Sequence, residues 1–332
     1  MLLRRFCYGR ATQEDIKLLN TRWIGNENVQ LPKTHLRYCC ATNKDRNALS
    51  SSIFLQHLKL THKKADTDEP NSTMDTNGKM HTAIIKADIT LTRGKQRVAR
   101  RMRNEIYDNC GDDLVRNNGS RKVDPSLKFY YDIPLMITSN DNIKDKLANG
   151  TPCRGQYIVL KDNVSFKLEN WNGYEVNTVH ASDIKHIVCR REKKKEEDPD
   201  EYFKVDPVKL SVLVTMNSHH VFPIKGISMQ QLPVNDNIAT TGHKLQGVTL
   251  NSLIVKSWSY ATHWVYVALS RVTSLEGLVF CEKLNEQKEY TCDKELLQFE
   301  ERLRKYCEAP LFTTDYDKQK YEEYEKKWNV FE

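Results

Sequence analysis

The sequence predicts an α/β fold with a parallel sheet, interrupted by a small all-β subdomain. Three patterns in the 332 residues carry this expectation. Near the amino end the apolar run Leu36-Arg-Tyr-Cys-Cys-Ala-Thr42 reads as a buried strand, followed by a polar turn and a helical pattern. In the middle, short β-prone pieces alternate with Asn, Gly and Asp turns. From Ala239 to Phe280 the order is strand, loop, strand, helix, strand, the succession that lays helices against a sheet in an α/β layer.

Taken in order, Thr12-Gln-Glu-Asp15 places a hydroxyl cap three residues before a carboxylate, with Ile16, Leu19 and Trp23 following at helical spacing. After the turn-like Gly25–Asn28 comes the strand ending at Thr42-Asn43. A helix then runs from Lys44 to about Leu60 with a loose apolar face of Leu49, Ile53 and Leu58. Residues 61 to 80 are polar and rich in turn formers, and predict a flexible loop. The next stretch packs Arg93, Lys95, Arg97, Arg100, Arg101 and Arg103 closely together. Such a helix either contacts phosphate or is a solvated face, and the second is the plainer reading.

Strands are expected at 156–160, 164–168, 174–179, 184–189, 209–216 and 221–224. The run RREKKKEEDPD at 190–200 mixes bases and acids, as a solvated loop does. Beyond Leu284 the composition is charged and helical. The segment KQKYEEYEKKW at 318–328 suits an exposed helix with i,i+4 charge pairs.

Lys and Arg number 51 against 44 acidic residues, a formal charge of +7. The sign suits a polyanionic partner, although many basic proteins bind no nucleic acid. No apolar run approaches the roughly 20 residues of a membrane span, so no membrane is expected among the partners. The amino-terminal MLLRRFCYGR has neither the apolar core nor the cleavage site of a signal peptide. The nine cysteines form no C-x-x-C pair, which points to reduced, intracellular thiols and to no metal site.

The segment that carries chemistry is Ala239-Thr-Thr-Gly-His-Lys-Leu-Gln-Gly-Val-Thr-Leu250, where glycines and small residues bracket His243, Lys244 and Gln246. A turn of this composition can approach a ligand closely. Downstream, His263 to Arg271 fits a short helix with an apolar side of Val265, Ala268, Leu269 and Val272, and Arg271 stands at its end.

TGHKLQGVTL closely resembles motif V, and YVALSRV motif VI, of superfamily 1 DNA helicases in the RecD/PIF branch, with Helitron-type transposon helicases particularly similar. Cys40-Ala-Thr-Asn-Lys44 resembles motif IV, and Leu18–Arg22 the segment that follows motif III. Asn149-Gly-Thr151 and Gln231-Leu-Pro-Val234 match too. The resemblance implies a second RecA-like domain at 36–150 and 225–285, with an SH3-like β subdomain inserted at 151–224. It also implies that 1–35 is the remnant and linker after a first RecA-like domain, and that 286–332 is a charged helical tail.

The resemblance likewise implies roles. Arg271 would be an arginine finger on the γ-phosphate, its planar and permanently charged fork suiting that task better than lysine. Lys244, Gln246 and Gly247 would couple the ATP site to DNA. Thr241, His243, Thr42, Asn43 and Asn149 would face single-stranded DNA. The β subdomain would grip the strand through a basic groove and stacking aromatics such as Trp171 or Tyr174. Plainer readings stand beside these. Arg271 can be a helix-end cation satisfied by the macrodipole or a carboxylate, Gly247 a mere turn, and His243 a structural hydrogen-bonder. Trp258, Trp264 and Tyr260 are expected in the core.

A helicase also needs G-x-x-x-x-G-K-[ST] to cradle phosphates, and this sequence has none. Neither Asp68-Glu69 nor Asp200-Glu201 follows an apolar strand that would hold a magnesium ligand. ATP and Mg2+ serve the intact family. Neither is expected to bind tightly to this chain without the first RecA-like domain as partner. The competing expectation is a non-enzymatic single-stranded nucleic-acid-binding module or a decayed transposon relic. The Helitron-like flavour implies a nuclear setting.

Overall fold

The structure is a computed structural model that describes residues 2–31, 37–65, 80–91, 103–104, 106–107, 115–117, 124–140, 147–193, 197–215 and 223–308. The chain opens with α1 (Leu2–Cys7) and α2 (Gln13–Asn20), then β1 (Tyr38–Cys40) and the long α3 (Asn43–Ala65). Thirteen strands follow. They are β2 (Thr82–Lys86), β3 (Asp88–Leu91), β4 (Val115–Asn117), β5 (Ser126–Tyr130), β6 (Ile133–Ile137), β7 (Pro152–Leu160), β8 (Lys167–Trp171), β9 (Tyr174–His180), β10 (Ile184–Arg191), β11 (Tyr202–Val205), β12 (Val208–Thr215), β13 (Pro223–Gln231) and β14 (Val234–Asp236). The carboxyl part holds β15 (Ala239–Thr241), β16 (Leu253–Val255), α4 (Trp264–Leu269), β17 (Leu278–Phe280) and α5 (Lys294–Glu308).

Four strands make the expected parallel sheet, in the order β15-β1-β16-β17. Leu253, Ile254 and Val255 are all buried, as are Leu278, Val279 and Phe280. Unbroken apolar strands of this kind belong to a parallel sheet covered on both faces. Trp258, Trp264, Val265 and Leu269 fill its core, together with Phe6, Ile16 and Leu19 from the first two helices. The two tryptophans meet edge-on at 6.0 Å, and Trp258 meets Phe280 likewise at 4.9 Å. Tyr260 is the exception to the expected burial: its ring is partly exposed and its hydroxyl accepts from the Asn285 amide at 3.1 Å.

The first 31 residues are therefore more than a linker. Trp23 bridges to Phe280 in parallel fashion at the edge of the sheet, the Ile24 amide donates to Phe280, and the Phe280 amide donates to Arg22. The capping box read from Thr12 and Asp15 forms in full. Asp15 also receives Arg5 Nε at 2.6 Å, and this guanidinium holds the nearly buried carboxyl down to about 2.

The rest is antiparallel in the main: a five-stranded sheet β11-β10-β7-β6-β14, and two four-stranded sheets, β3-β13-β12-β4 and β5-β2-β9-β8. This β-rich part is wider than the 151–224 anticipated. β2 pairs with β9, and β6 with both β7 and β14, so strands as early as β2 and as late as β14 contribute to one hydrophobic core. Tertiary pairing draws in strands such as TAIIK and SLKFY, whose short local patterns do not announce their partners.

α3 joins the two parts. Ile53 packs on the β core, while Phe54 and Leu58 bury against Ile84 and Val176. Trp171 meets Phe54 edge-on at 5.3 Å and Tyr174 packs in the same cluster, so the two aromatics expected to stack on bases are occupied by this helix. In the charge run at 190–200 the described residues are laced with ion pairs: Arg190 to Asp200, Arg191 to Glu201 and Lys193 to Asp200. The basic run at 93–103 lies outside the described residues except for Arg103, as do 66–79 of the expected loop and the 318–328 helix. No described helix is long and apolar enough to cross a membrane.

Candidate functional site

The carboxyl edge of the parallel sheet gathers the first half of the site. β1 and β15 are in register, with Cys40 opposite Thr241, so the loops that leave them at Thr42-Asn43 and at Gly242 emerge side by side. Loops at this edge of an open α/β sheet are where ligands usually bind. Thr42 is exposed, and its hydroxyl accepts from the Asp45 amide at 3.1 Å as the cap of α3. Asp45 in turn accepts from Ser257 Oγ at 2.9 Å, and that hydroxyl accepts from the Ala41 amide at 3.0 Å. Thr42, Asp45 and Ser257 thus fix the edge as one network. Thr42-x-x-Asp45 has the spacing of a helix cap, a signal present in the sequence and passed over there.

From Thr241 the chain turns through a short 3-10 helix, Gly242–Leu245, then Gln246 and Gly247. Side chains of His243 and Lys244 fall outside the described set; only their backbone is placed. Gln246 and Gly247 are exposed, and Gly247 has φ +79°, a conformation that glycine adopts without strain. Gly242 is buried against Trp264, where a Cβ would lie 2.6 Å from the indole nitrogen. Both glycines of the motif therefore have backbone reasons for being glycine.

Arg271 forms the second half. Its Nε donates to the Val267 carbonyl at 2.9 Å, Nη1 to the carbonyls of Leu245 at 3.2 Å and Val248 at 3.5 Å, and Nη2 to Ser270 Oγ at 2.7 Å. The backbone adds a tie, Leu250 N to Arg271 O at 2.7 Å, and Leu250 bridges to Val272. Since β15 and β16 run parallel, the loop between them must travel from the carboxyl edge to the amino edge of the sheet. Arg271 clasps it near the end of that journey. In this conformation the helix-end reading is satisfied by backbone carbonyls and the Ser270 hydroxyl, with no carboxylate among the described residues.

Asn149 stands apart. It is an exposed turn residue between β6 and β7, on the five-stranded sheet, and its amide donates to Asn140 Oδ1 at 2.8 Å. The matched Gln231 is fully buried and works structurally, donating to the carbonyls of Ile85 and Asp124 and accepting from the Leu232 amide. Burial pushes the Cys39 and Cys40 thiols up to about 12, which makes them poor nucleophiles. Among the described residues no three His, Cys, Asp or Glu side chains are placed to hold a metal ion.

The architecture is thus a parallel α/β sheet joined by one long helix to β-sheets. No protein-family model and no curated protein matches the chain. Solved structures do. The chain is similar to a Bacteroides Pif1 bound to single-stranded DNA, with 17% identity and a TM-score of 0.54 over 92% of this chain and 53% of that one. A complex of the Bacteroides Pif1 helicase with ADP-AlF3 and single-stranded DNA gives 17% and 0.51 over the same shares. The Pif1 helicase of Candida albicans gives 14% and 0.51 over 91% and 57%. The chain has the fold of about half of a Pif1 helicase.

Proposed function

We propose that this chain is the second RecA-like domain, with an inserted SH3-like β subdomain, of an ATP-dependent DNA helicase of the RecD/PIF type. The observation that carries the reading is the clasp of Arg271 on the loop that begins beside Thr42 and Thr241. One end of that loop borders the edge assigned to single-stranded DNA, and the other end is held by the residue assigned to the γ-phosphate.

ATP and Mg2+ would be held chiefly by a first RecA-like domain, the partner that supplies the phosphate loop. From this chain Arg271 would be offered to the nucleotide, supplying positive charge where charge moves during phosphoryl transfer. To do so it exchanges the Leu245 and Val248 carbonyls for phosphate oxygens. Lys244, Gln246 and Gly247 sit on the loop that this exchange releases. Thr42, Asn43, Thr241 and His243 would meet the DNA strand at the carboxyl edge, and Asn149 would meet it from the β part. A nuclear setting follows from the transposon resemblance.

One observation favours the second reading, a single-stranded nucleic-acid-binding module without ATP chemistry: the Arg271 guanidinium is already bonded within the chain. Titration of the pure chain with labelled single-stranded DNA, across salt concentrations, separates the readings. The helicase reading expects salt-sensitive binding whose affinity changes with Arg271→Ala, because the clasp shapes the loop. Affinity indifferent to Arg271→Ala supports the module.

A further inference from the structure

A cysteine and a histidine that the site above does not use meet where the chain enters α5. Cys292 Sγ lies 3.7 Å from His263 Nε2 and 3.6 Å from the Asp293 carbonyl. The Asp293 amide donates to the same Nε2 at 3.3 Å, so this nitrogen carries its lone pair on the side of the thiol. A thiol beside an imidazole lone pair has both parts of an activated nucleophile, the sulfur and a group to take its proton.

The backbone holds the two together against a cost. His263 precedes α4 with φ +60°, a left-handed conformation that a residue with a Cβ enters only with strain, and its side chain makes no cap bond to that helix. Such strain collects where a side chain is aimed at a task. Here the ring is aimed at Cys292 and Asp293. Cys292 is fixed from its other side by the turn after α1, where a Cβ on Gly9 would lie 2.7 Å from the Cys292 nitrogen.

Other described thiols are placed for slower chemistry. Cys39, Cys40, Cys153 and Cys189 are buried, and burial pushes the Cys281 thiol up. Cys7 is partly exposed, but it stands by the Tyr266 hydroxyl, a far weaker proton acceptor than imidazole.

We infer that Cys292 is a modification site that exchanges with low-molecular-weight disulfides, with His263 as its proton acceptor. His263 Nε2 takes the thiol proton and gives up the Asp293 amide. The Cys292 sulfur then bonds to one sulfur of the disulfide as the S–S bond breaks, and the electron pair leaves on the second sulfur. That thiolate takes the proton from His263. Cys292 is oxidised and the small disulfide reduced, with no other reactant required. The bond from Asp293 to His263 ties the head of α5 to the start of α4, the helix that leads into Arg271. A group added at Sγ crowds the ring off that bond.

The test treats the full chain with oxidised glutathione, quenches it with acid over time and locates each adduct by peptide mass mapping. The same is done with His263→Asn, which also tolerates positive φ, and with His263→Gln, each checked by thermal melting. An unassisted thiol is only a few per cent ionised at neutral pH, so Cys292 is expected to react roughly ten-fold faster than Cys7 or Cys281 and to lose that lead in both variants. Amide exchange at Asp293 should quicken in the adduct. Cys292 reacting no faster than Cys7 in the unaltered chain overturns the site, and this comparison needs no variant to fold. A fast Cys292 whose rate survives in folded His263→Asn overturns the pairing, leaving a thiol that is only exposed. Unchanged exchange at Asp293 in the adduct overturns the release of α5.

Discussion

Arg271 Nη1 donates to the Leu245 carbonyl at 3.2 Å, joining the end of α4 to the loop that follows β15. With its bonds to Val248 and Val267 this makes the side chain a structural clasp as well as a candidate finger. Arg271→Ala leaves partly buried carbonyls without their donor, and such groups cost about 1–3 kcal/mol each when desolvated, less where water replaces the donor. The expected result is about 1–3 kcal/mol lower stability in urea unfolding, and faster amide exchange at Val248 and Leu250. Unchanged exchange there would remove the clasp.

Gly242 is packed too tightly against Trp264 for a side chain, with a Cβ only 2.6 Å from the indole nitrogen. Gly242→Ala must push the ring or bend the 3-10 helix, at about 1–3 kcal/mol. Both the urea midpoint and the Trp264 fluorescence should shift. Gly247→Ala meets no neighbouring atom and should cost about 1 kcal/mol through its positive φ alone.

Asp15 titrates at about 2, pulled down first by its bonds to Arg5, against an ordinary value of 3.8. A carboxyl lowered by folding contributes stability that is complete above its unfolded value and lost as pH falls toward the folded one. Asp15→Asn should therefore remove up to about 2 kcal/mol at neutral pH. The gap between variant and parent should close from pH 4 down to pH 2, read by urea unfolding at each pH.

Burial lowers the titration of His57, which stacks on Tyr130 at 4.7 Å and lies 3.2 Å from Thr82 Oγ1. A histidine held neutral by the fold gives full stability above its ordinary value near 6.5 and loses it as pH falls below that. Thermal melts should show a decline below pH 6.5 that His57→Phe flattens. An identical decline in the variant would assign the effect to another group.

Much of this was legible in the sequence. The run LIV at 253–255 and the capping box at Thr12 are local patterns that state their structure outright, and both form as read. TGHKLQGVTL and YVALSRV lie on the two segments that Arg271 ties together. Partnership was not legible. Nothing in SLKFY or TAIIK says that these strands pair with each other and, through β9, with the middle of the chain. Trp171 looks like a free ring until Phe54 arrives from a helix more than a hundred residues earlier. Arg271 advertises its charge, while its acceptors are backbone carbonyls, which no side-chain pattern records.

The central claim is that Arg271 completes an ATP site shared with a first RecA-like domain. Its most direct test is DNA-stimulated ATP hydrolysis by this chain joined to a phosphate-loop-bearing RecA-like domain, compared with the same fusion carrying Arg271→Lys. The pure chain should turn over no ATP, the fusion should hydrolyse it with single-stranded DNA present, and Arg271→Lys should cut kcat by about a thousand-fold, the usual worth of an arginine finger. Hydrolysis by the pure chain, or equal kcat in the two fusions, would contradict it.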